Sequence, residues 1–245
     1  MINAYTALPE IYDTLMYDVD YHAWAAYIDS FLSEIKPRKI IEACCGTGNI
    51  TLRLIRKGYQ VTPFDLSDEM LRIAQQKARK SGKKITFLKQ DMREMDLPMH
   101  DALVCACDGV NYLSTEDDLL RFFKAAYKCI KPGGYFLFDM SSLYKMENIL
   151  GNELFFEDRD ELSFFWQNKL DKEKNQVELS ITFFIRGDDG KYIREDETQI
   201  QYFYPAERVL SLLKEAGFVK ADAYGFMTRD LPAENADRIQ FFAIK

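Results

Sequence analysis

Up to about residue 142, the hydrophobic residues follow two patterns, one typical of helices and one typical of buried strands. Apolar residues recur every three or four positions between residues 10 and 35, which predicts helices interrupted near Val19 to Tyr21. Short apolar runs then alternate with helical stretches, from the run at 39–43 to the stretch YFLFDMSS. Five strands alternating with helices predict a doubly wound, mainly parallel sheet that is covered by helices on both faces.

Residues 151–204 break this alternation. VELSITFFI and DETQIQYFY read as strands, with turns at 172–175 and 187–190, so we expect an antiparallel insertion after the fifth strand. The helix PAERVLSLLKEAG and two final strands then return to the first pattern. The sequence therefore predicts a seven-stranded Rossmann-like α/β core formed by 1–150 and 205–245, with an antiparallel β lid at 151–204.

One residue resists the predicted sheet. Pro63 falls within the second strand and has no backbone donor for a ladder of hydrogen bonds. We expect it to mark the end of that strand or a bulge.

Composition and charge limit the classes of function. The chain has 245 residues, a formal net charge of −7 and a pI near 5.1, which argues against a nucleic-acid partner because phosphate binding depends on clustered cations. No leader pattern or membrane-length apolar run is visible, so we expect a cytoplasmic protein. The five cysteines form an odd count and are expected to be free thiols.

The stretch IIEACCGTGN contains a Gly-Thr-Gly turn directly after the first predicted strand. Gly46 and Gly48 let the backbone turn sharply beside a helix N-terminus, a geometry that suits a polar cofactor group. Asp65 ends the second strand, where a carboxylate can accept both hydroxyl hydrogens of a ribose. Asp91 follows the third strand. Polar residues at three consecutive strand ends predict a nucleoside-binding edge.

With these motifs the chain resembles the class I S-adenosylmethionine-dependent methyltransferases. The resemblance lies in E-A-C-C-G-T-G, F-D-L-S-D-E-M-L, Q-D-M and C-D-G-V-N-Y-L, across roughly 10–141 and 205–245. The departure is Cys44, where the family usually has its first glycine. The resemblance implies S-adenosylmethionine as the cofactor, S-adenosylhomocysteine as the product and no metal.

The resemblance also assigns cofactor contacts. The backbone from Ala43 to Gly46, with Cys44 between them, would hold the aminoacyl end, and Asp65 the ribose. Leu66 and Met70 would flank the adenine, Asp91 would receive its amino group and Met92 would offer a backbone contact. Cys107 and Asp108, in the loop after the fourth strand, are assigned to the same cofactor.

I-Y-D-T-L-M followed by D-Y-H-A-W resembles, more narrowly, a subgroup of small bacterial methyltransferases of unassigned substrate, related to sugar-amine N-methyltransferases. This resemblance implies that Tyr21 and Trp24 close over the methionine part of the cofactor, and that Tyr12 and Tyr112 face the substrate as catalytic residues. We expect methyl transfer to a nitrogen or oxygen of a neutral or cationic small molecule. The oligomeric state stays open.

Other interpretations of the same residues remain. Tyr127 and Lys131 form a Tyr-x3-Lys pair with Ser114 upstream, as in short-chain NAD(P)-dependent oxidoreductases, although a helix-ending KPGG follows at once. Four of the cysteines could bind zinc if the first and fourth strands are neighbours. The site aromatics could be ordinary core residues, and the two aspartates could be turn or capping residues. A methyltransferase acting on RNA or ribosomes is a further alternative.

Overall fold

The computed structural model describes residues 8–245, so the first seven residues of the predicted core lie outside it. This part of the chain contains eleven strands. They are β1 (Lys39–Ala43), β2 (Gln60–Asp65), β3 (Leu88–Lys89), β4 (His100–Cys105), β5 (Ile130–Ser141), β6 (Leu154–Asp158), β7 (Leu162–Asp171), β8 (Gln176–Arg186), β9 (Tyr192–Tyr202), β10 (Lys220–Gly225) and β11 (Arg238–Ile244).

Seven of these strands form one sheet in the order β10-β11-β5-β4-β1-β2-β3. β1, β2, β3, β4 and β5 pair in parallel, whereas β11 runs antiparallel to both β5 and β10. The predicted seven-stranded, mainly parallel α/β sheet is therefore confirmed. Because β1 lies between β4 and β2, the loops that leave these three strands meet at one edge of the sheet.

Helices cover both faces of this sheet. The α-helices are α1 (Tyr12–Leu15), α2 (Tyr21–Leu32), α3 (Asn49–Arg56), α4 (Asp68–Lys80), α5 (Glu116–Cys129) and α6 (Ala206–Glu215). α2 and α3 pack on one face, where Phe31 of α2 contacts Phe242. α5 and α6 pack on the other face, where Phe122 meets Phe136 edge to face at 5.5 Å. None of the helices within residues 8–245 is long and apolar enough to cross a membrane.

The remaining four strands form an antiparallel sheet in the order β6-β7-β8-β9, which we call the lid. Its inner face packs on α1 and on Ile11, the residue before α1, which joins Leu162, Ile181 and Phe183 in a buried cluster. The sequence predicted β8 and β9 and their turns but missed β6 and β7. The division of the chain into two domains stays a prediction.

Pro63 lies inside β2, so the expectation of a strand end or a bulge was wrong. The Gln60 N–H bonds to the Arg38 carbonyl on the β1 side, and alternate residues of a strand point to opposite neighbours. The nitrogen of Pro63 therefore faces β3, which consists only of Leu88–Lys89 and does not reach it. The missing donor leaves no gap in the ladder. β3 itself is much shorter than the predicted strand KITFLKQDM.

Candidate functional site

The loop after β1, residues 44–48, which we call the Gly loop, combines open space with close packing. Gly46 and Gly48 have φ angles of +52° and +77°, left-handed backbone that glycine adopts without steric cost. A Cβ on Gly46 would meet no atom within 4 Å, whereas one on Gly48 would lie 3.3 Å from the Ala74 Cβ. Ala43 is fully buried at the end of β1, so it can offer a ligand only its backbone.

Cys44 takes the position of the missing glycine, and the structure shows how it fits. Its φ angle is +53°, a conformation that costs a side-chain-bearing residue roughly 1–2 kcal/mol. A Cβ on Gly109, in the loop after β4, would lie only 2.8 Å from the Cys44 Cβ. The absence of a side chain at Gly109 therefore makes room for the side chain of Cys44.

Asp65 ends β2 and joins two parts of the site. Its Oδ2 accepts a hydrogen bond from the Gly46 N–H at 2.8 Å, and its Oδ1 accepts one from the Ser67 N–H at 3.0 Å. Burial raises the pKa of this carboxyl group above its ordinary value. The Leu66 N–H also hydrogen-bonds to the carboxylate, and the two oxygens have four acceptor positions in all, so a position remains for a further hydrogen bond. That a ribose supplies this bond stays a prediction.

The two residues predicted to flank adenine differ in exposure. The Leu66 side chain is 58% exposed beside Asp65, whereas Met70 is 3% exposed within the packing of α4. An exposed apolar side chain next to a buried carboxylate offers a surface for a flat ring. Met70 can contribute only a small apolar surface beneath such a ring.

Asp91 already holds a strong partner. Its carboxylate accepts hydrogen bonds from the Arg93 guanidinium, at 2.6 Å for the shortest, and Arg93 also bonds to Asp118 at 3.0 Å. The Arg93 bonds hold the pKa of Asp91 below its ordinary value. Met92 begins the short 3₁₀ turn that follows and packs against the core. An adenine amino group at Asp91 would have to share the carboxylate with Arg93.

α2 carries the aromatic residues predicted to cover the methionine part of the cofactor. It starts at an Asp20 cap, whose carboxylate accepts hydrogen bonds from the His22 and Ala23 N–H groups. Tyr21 and Trp24 then lie in the first turn, both buried. Trp24 packs on Phe226 with ring centroids 4.6 Å apart.

The two predicted catalytic tyrosines lie close to the loop after β4. Burial raises the pKa of Tyr12 well above its ordinary value, and Tyr21, Cys107, Asp108 and Tyr112 raise it further through their proximity. Cys107 and Asp108 both adopt left-handed backbone, with φ angles of +62° and +52°. The structure thus brings together five predicted residues from α1, α2 and this loop, although their functional roles stay predictions.

A buried ionic network lies beside these residues. Asp108 pairs with Arg238 at 3.0 Å and accepts a hydrogen bond from the Ser141 hydroxyl, while Arg238 also bonds to Asp139. Burial alone would raise the pKa of Asp108, but Arg238 and Lys145 outweigh it and hold that pKa below its ordinary value. Asp139, also fully buried, has its pKa raised by burial. The carboxylate of Asp108 thus balances charge inside the protein.

Sequence reasoning missed Glu42, which lies in β1 on the α2 face. The residue is buried, and its Oε2 has no hydrogen-bond partner among residues 8–245. Burial, opposed by the nearby Thr51 hydroxyl, raises the pKa of Glu42 to about 8. A charged residue inside the apolar run KIIEA was the available signal.

Asp13 was missed as well. Its carboxylate accepts hydrogen bonds from Thr47 at 2.7 Å, Asn49 at 2.8 Å and Lys77 at 2.6 Å. These bonds tie α1 to the Gly loop and to α4. No local pattern marks Asp13, because its partners lie far along the chain.

The structure bears on two of the alternative interpretations, the oxidoreductase motif and the zinc site. Lys131 lies in β5 and pairs with Asp101 at 2.6 Å, near the start of β4. Because β1 and β4 are parallel, this pair lies at the sheet edge opposite the Gly loop, so Lys131 does not serve the same cleft. Among residues 8–245, no group of three or more His, Cys, Asp and Glu side chains is arranged to hold a metal ion.

The arrangement fits a nucleoside cofactor that carries a cationic group. Gly46 leaves space, Asp65 has an acceptor position available, and Leu66 offers an apolar surface. Glu42, whose buried Oε2 has no hydrogen-bond partner within the described residues 8–245, suits a positively charged end together with Tyr21 and Trp24. Fold and site together define an α/β protein with its cofactor cleft at the carboxyl edge of β1, β2 and β4.

Comparison with known proteins gives the family. Residues 40–134 match the methyltransferase domain family. A protein of Geobacillus sp. (strain WCH70), named as a methyltransferase, is 36% identical over 96% of both chains. A crystal structure of an S-adenosylmethionine-dependent methyltransferase from Clostridium acetobutylicum is 32% identical over 98% of both chains, with a TM-score of 0.87. The chain therefore belongs to the class I S-adenosylmethionine-dependent methyltransferases, which confirms the predicted cofactor.

A more distant structure shares the fold including the lid. The sugar N-methyltransferase KedS8 from Streptoalloteichus sp. is 18% identical over 96% of this chain and 92% of its own, with a TM-score of 0.79. At this identity the likeness concerns the fold alone.

Proposed function

We propose that this enzyme transfers the methyl group of S-adenosylmethionine to a nitrogen or oxygen of a polar small molecule, neutral or cationic. The observation that carries the proposal is that Tyr12, from α1, packs against the lid, while Tyr112, from the loop after β4, bonds to Gln199 of the lid and is near enough to raise the pKa of Tyr12. The sugar N-methyltransferase activity in the name of KedS8, which shares this fold, supports an amine as the acceptor.

The cofactor supplies a methyl group on a positively charged sulfur, a donor that is already activated. The main task of the chain is therefore alignment, for which effective molarities of about 10⁵ to 10⁸ M are the relevant scale. In this proposal Asp65 and the Gly loop fix the nucleoside, and Tyr21 and Trp24 cover the reacting end. The lid excludes water from the acceptor.

The tyrosines orient the acceptor in this proposal. Burial raises the pKa of Tyr12 well above its ordinary value, so the phenol keeps its proton near neutral pH. A protonated phenol donates or accepts a hydrogen bond but does not serve as a base. Tyr12 therefore holds the nucleophile in line with the methyl group, and a neutral amine needs no stronger help to react.

Calorimetric titration with S-adenosylmethionine, S-adenosylhomocysteine and NAD tests the cofactor. We expect both sulfur nucleosides to bind and NAD not to bind; binding of NAD alone would overturn the proposal. Release of S-adenosylhomocysteine is then measured with matched acceptors such as glucosamine and glucose, or ethanolamine and ethylene glycol.

We expect turnover with polar amines or hydroxyl compounds in this assay. If only RNA, retained in a salt-sensitive manner, supports turnover, the acceptor class is wrong.

A further inference from the structure

The inner face of the lid carries a row of polar side chains on β9. Glu197, Gln199 and Gln201 occupy alternate positions, and all three are buried, at 4%, 5% and 9% exposure. Their neighbours across β8 are Ile181, Leu179 and Val177. Buried polar groups are expensive unless they are hydrogen-bonded, so three of them in a row on a largely apolar face call for a role.

Two of these residues form a chain of hydrogen bonds that ends at Tyr112. The Gln199 Nε2 donates to the Glu197 Oε1 at 2.5 Å. The Tyr112 hydroxyl donates to the Gln199 Oε1 at 2.6 Å. The chain therefore runs from Tyr112 in the loop after β4, through Gln199, to Glu197 on the lid.

This chain has one direction. A carboxylate has only acceptors, so Glu197 turns the amide NH₂ of Gln199 toward itself and the amide oxygen toward Tyr112. That oxygen also only accepts, so the single hydroxyl hydrogen of Tyr112 must point at Gln199. Any other hydrogen bond through the Tyr112 oxygen is one that this oxygen accepts.

We propose that Glu197 and Gln199 are positioning residues for Tyr112. By fixing the hydroxyl hydrogen of Tyr112, they leave its oxygen to accept a hydrogen bond from the molecule that is methylated. The enzyme then selects a reacting group that carries its own hydrogen: a primary or secondary amine, or a hydroxyl group. A tertiary amine or a thioether has no hydrogen to give to Tyr112. This inference rests on the proposed methyl transfer in this cleft, and it narrows the acceptor class.

Sinefungin provides a probe that needs no knowledge of the acceptor. It is an analogue of the cofactor in which a carbon bearing an amine replaces the methylated sulfur, so N–H groups stand where the methyl group would be transferred. S-adenosylhomocysteine has nothing at this position. The sinefungin amine is also positively charged near neutral pH, so the ratio of the two dissociation constants contains the effect of that charge as well as of the hydrogen bond. The change in this ratio between the wild-type protein and variants of the hydrogen-bond chain therefore reports the bond that Tyr112 accepts.

We expect the wild-type protein to bind sinefungin at least fivefold more tightly than S-adenosylhomocysteine. Gln199→Leu frees the Tyr112 hydrogen, and Glu197→Met frees the Gln199 amide to rotate, so each should lower this preference at least threefold. Gln201→Leu is the matched control, because it makes the same substitution on the same face of β9 outside the chain of bonds. It should keep the wild-type ratio, and Tyr112→Phe should lower the preference at least as much as Gln199→Leu does.

The affinity for S-adenosylhomocysteine, measured in every variant, shows whether the cofactor cleft is intact. Wild-type protein without a preference for sinefungin, or an unchanged ratio in both Gln199→Leu and Tyr112→Phe, would overturn the inference. If neither ligand binds the wild-type protein, the proposed function itself fails. The two failures are therefore distinguishable.

Discussion

Asp65 shows, at the scale of one residue, how a single carboxylate joins the loop after β1 to the start of α4. It already accepts the Gly46 and Ser67 N–H groups, which fix both of its oxygens. We expect Asp65→Ala to weaken S-adenosylhomocysteine binding at least tenfold, about 1.4 kcal/mol, because the loop and the ribose lose a common acceptor. Calorimetry measures this. Asp68→Ala, which removes an exposed carboxylate in α4, should bind as the wild type does.

Glu42 predicts a pH dependence. Burial raises its pKa from an ordinary value of 4.5 to about 8, so between these pH values the folded chain keeps a proton that the unfolded chain has lost. The free energy of unfolding must therefore fall as pH rises through this window. We expect Glu42→Gln to remove at least about 2 kcal/mol of this fall in the ligand-free protein.

Urea unfolding at several pH values between 5 and 8 tests this expectation. Glu178→Gln, on the outer face of the lid, is the control and should follow the wild-type curve. Parallel curves for Glu42→Gln and the wild type would show that Glu42 does not titrate in this range.

Individual residues also show how far the sequence predicts the site. Asp65 could be proposed from the sequence because a carboxylate at the end of the second strand suits a ribose in this fold, and its role stays a prediction. The fit of Cys44 could not be predicted, because it depends on the missing side chain of Gly109, and this contact forms only when β1 and β4 pair. Glu42 was overlooked because local spacing does not indicate that both faces of β1 are buried, which is what encloses its carboxyl group.

At the scale of elements, α1 is a short helix whose position depends on one carboxylate. Burial alone would raise the pKa of Asp13, but its bonds to Lys77, Thr47 and Asn49 hold that pKa below its ordinary value. We expect Asp13→Asn to speed dissociation of S-adenosylhomocysteine three- to tenfold, because α1 loses its charged tie to α4. Stopped-flow fluorescence measures the rate.

Asp18→Asn serves as the control for this prediction, since it removes an exposed carboxylate from the same part of the chain. Equal dissociation rates for Asp13→Asn and the wild type would mean that α1 does not retain the cofactor.

The four strands of the lid differ in how clearly the sequence predicts them. β8 lies between two turn signals and β9 follows the second of them, and both strands were predicted. β6 and β7 were missed because Phe156 and Phe165 stack on each other at the outer face of the lid, at 69% and 49% exposure. Exposed aromatics remove the alternation of polar and apolar residues by which a half-buried strand is identified.

At the scale of the whole molecule, the network around Arg238 joins three strands. Arg238 in β11 neutralises Asp108, after β4, and Asp139, in β5. We expect Arg238→Met to lower the free energy of unfolding by about 3–5 kcal/mol, because it leaves two buried carboxylates without their partner. Urea unfolding measures the loss.

Two further variants show whether the loss of stability comes from the unpaired buried carboxylates or simply from removing an arginine side chain. Asp139→Asn added to Arg238→Met should recover part of the stability, since one buried charge disappears. Arg194→Met breaks an exposed pair with Asp196 on the lid and should leave the free energy of unfolding nearly unchanged, because exposed ion pairs contribute little. A similar loss in both arginine variants would contradict the role of the network.

The late position of β11 in the sequence means that Arg238 is synthesised after the residues with which it pairs. The ribosome makes the Gly loop, Asp108 and Asp139, and then the whole lid, before it reaches Arg238. Until then, two carboxylates that belong inside the protein have no guanidinium to neutralise them. A nascent chain that ends near residue 204 should therefore stay open at this edge, exposed to chaperones and proteases, and close only when its last strand arrives.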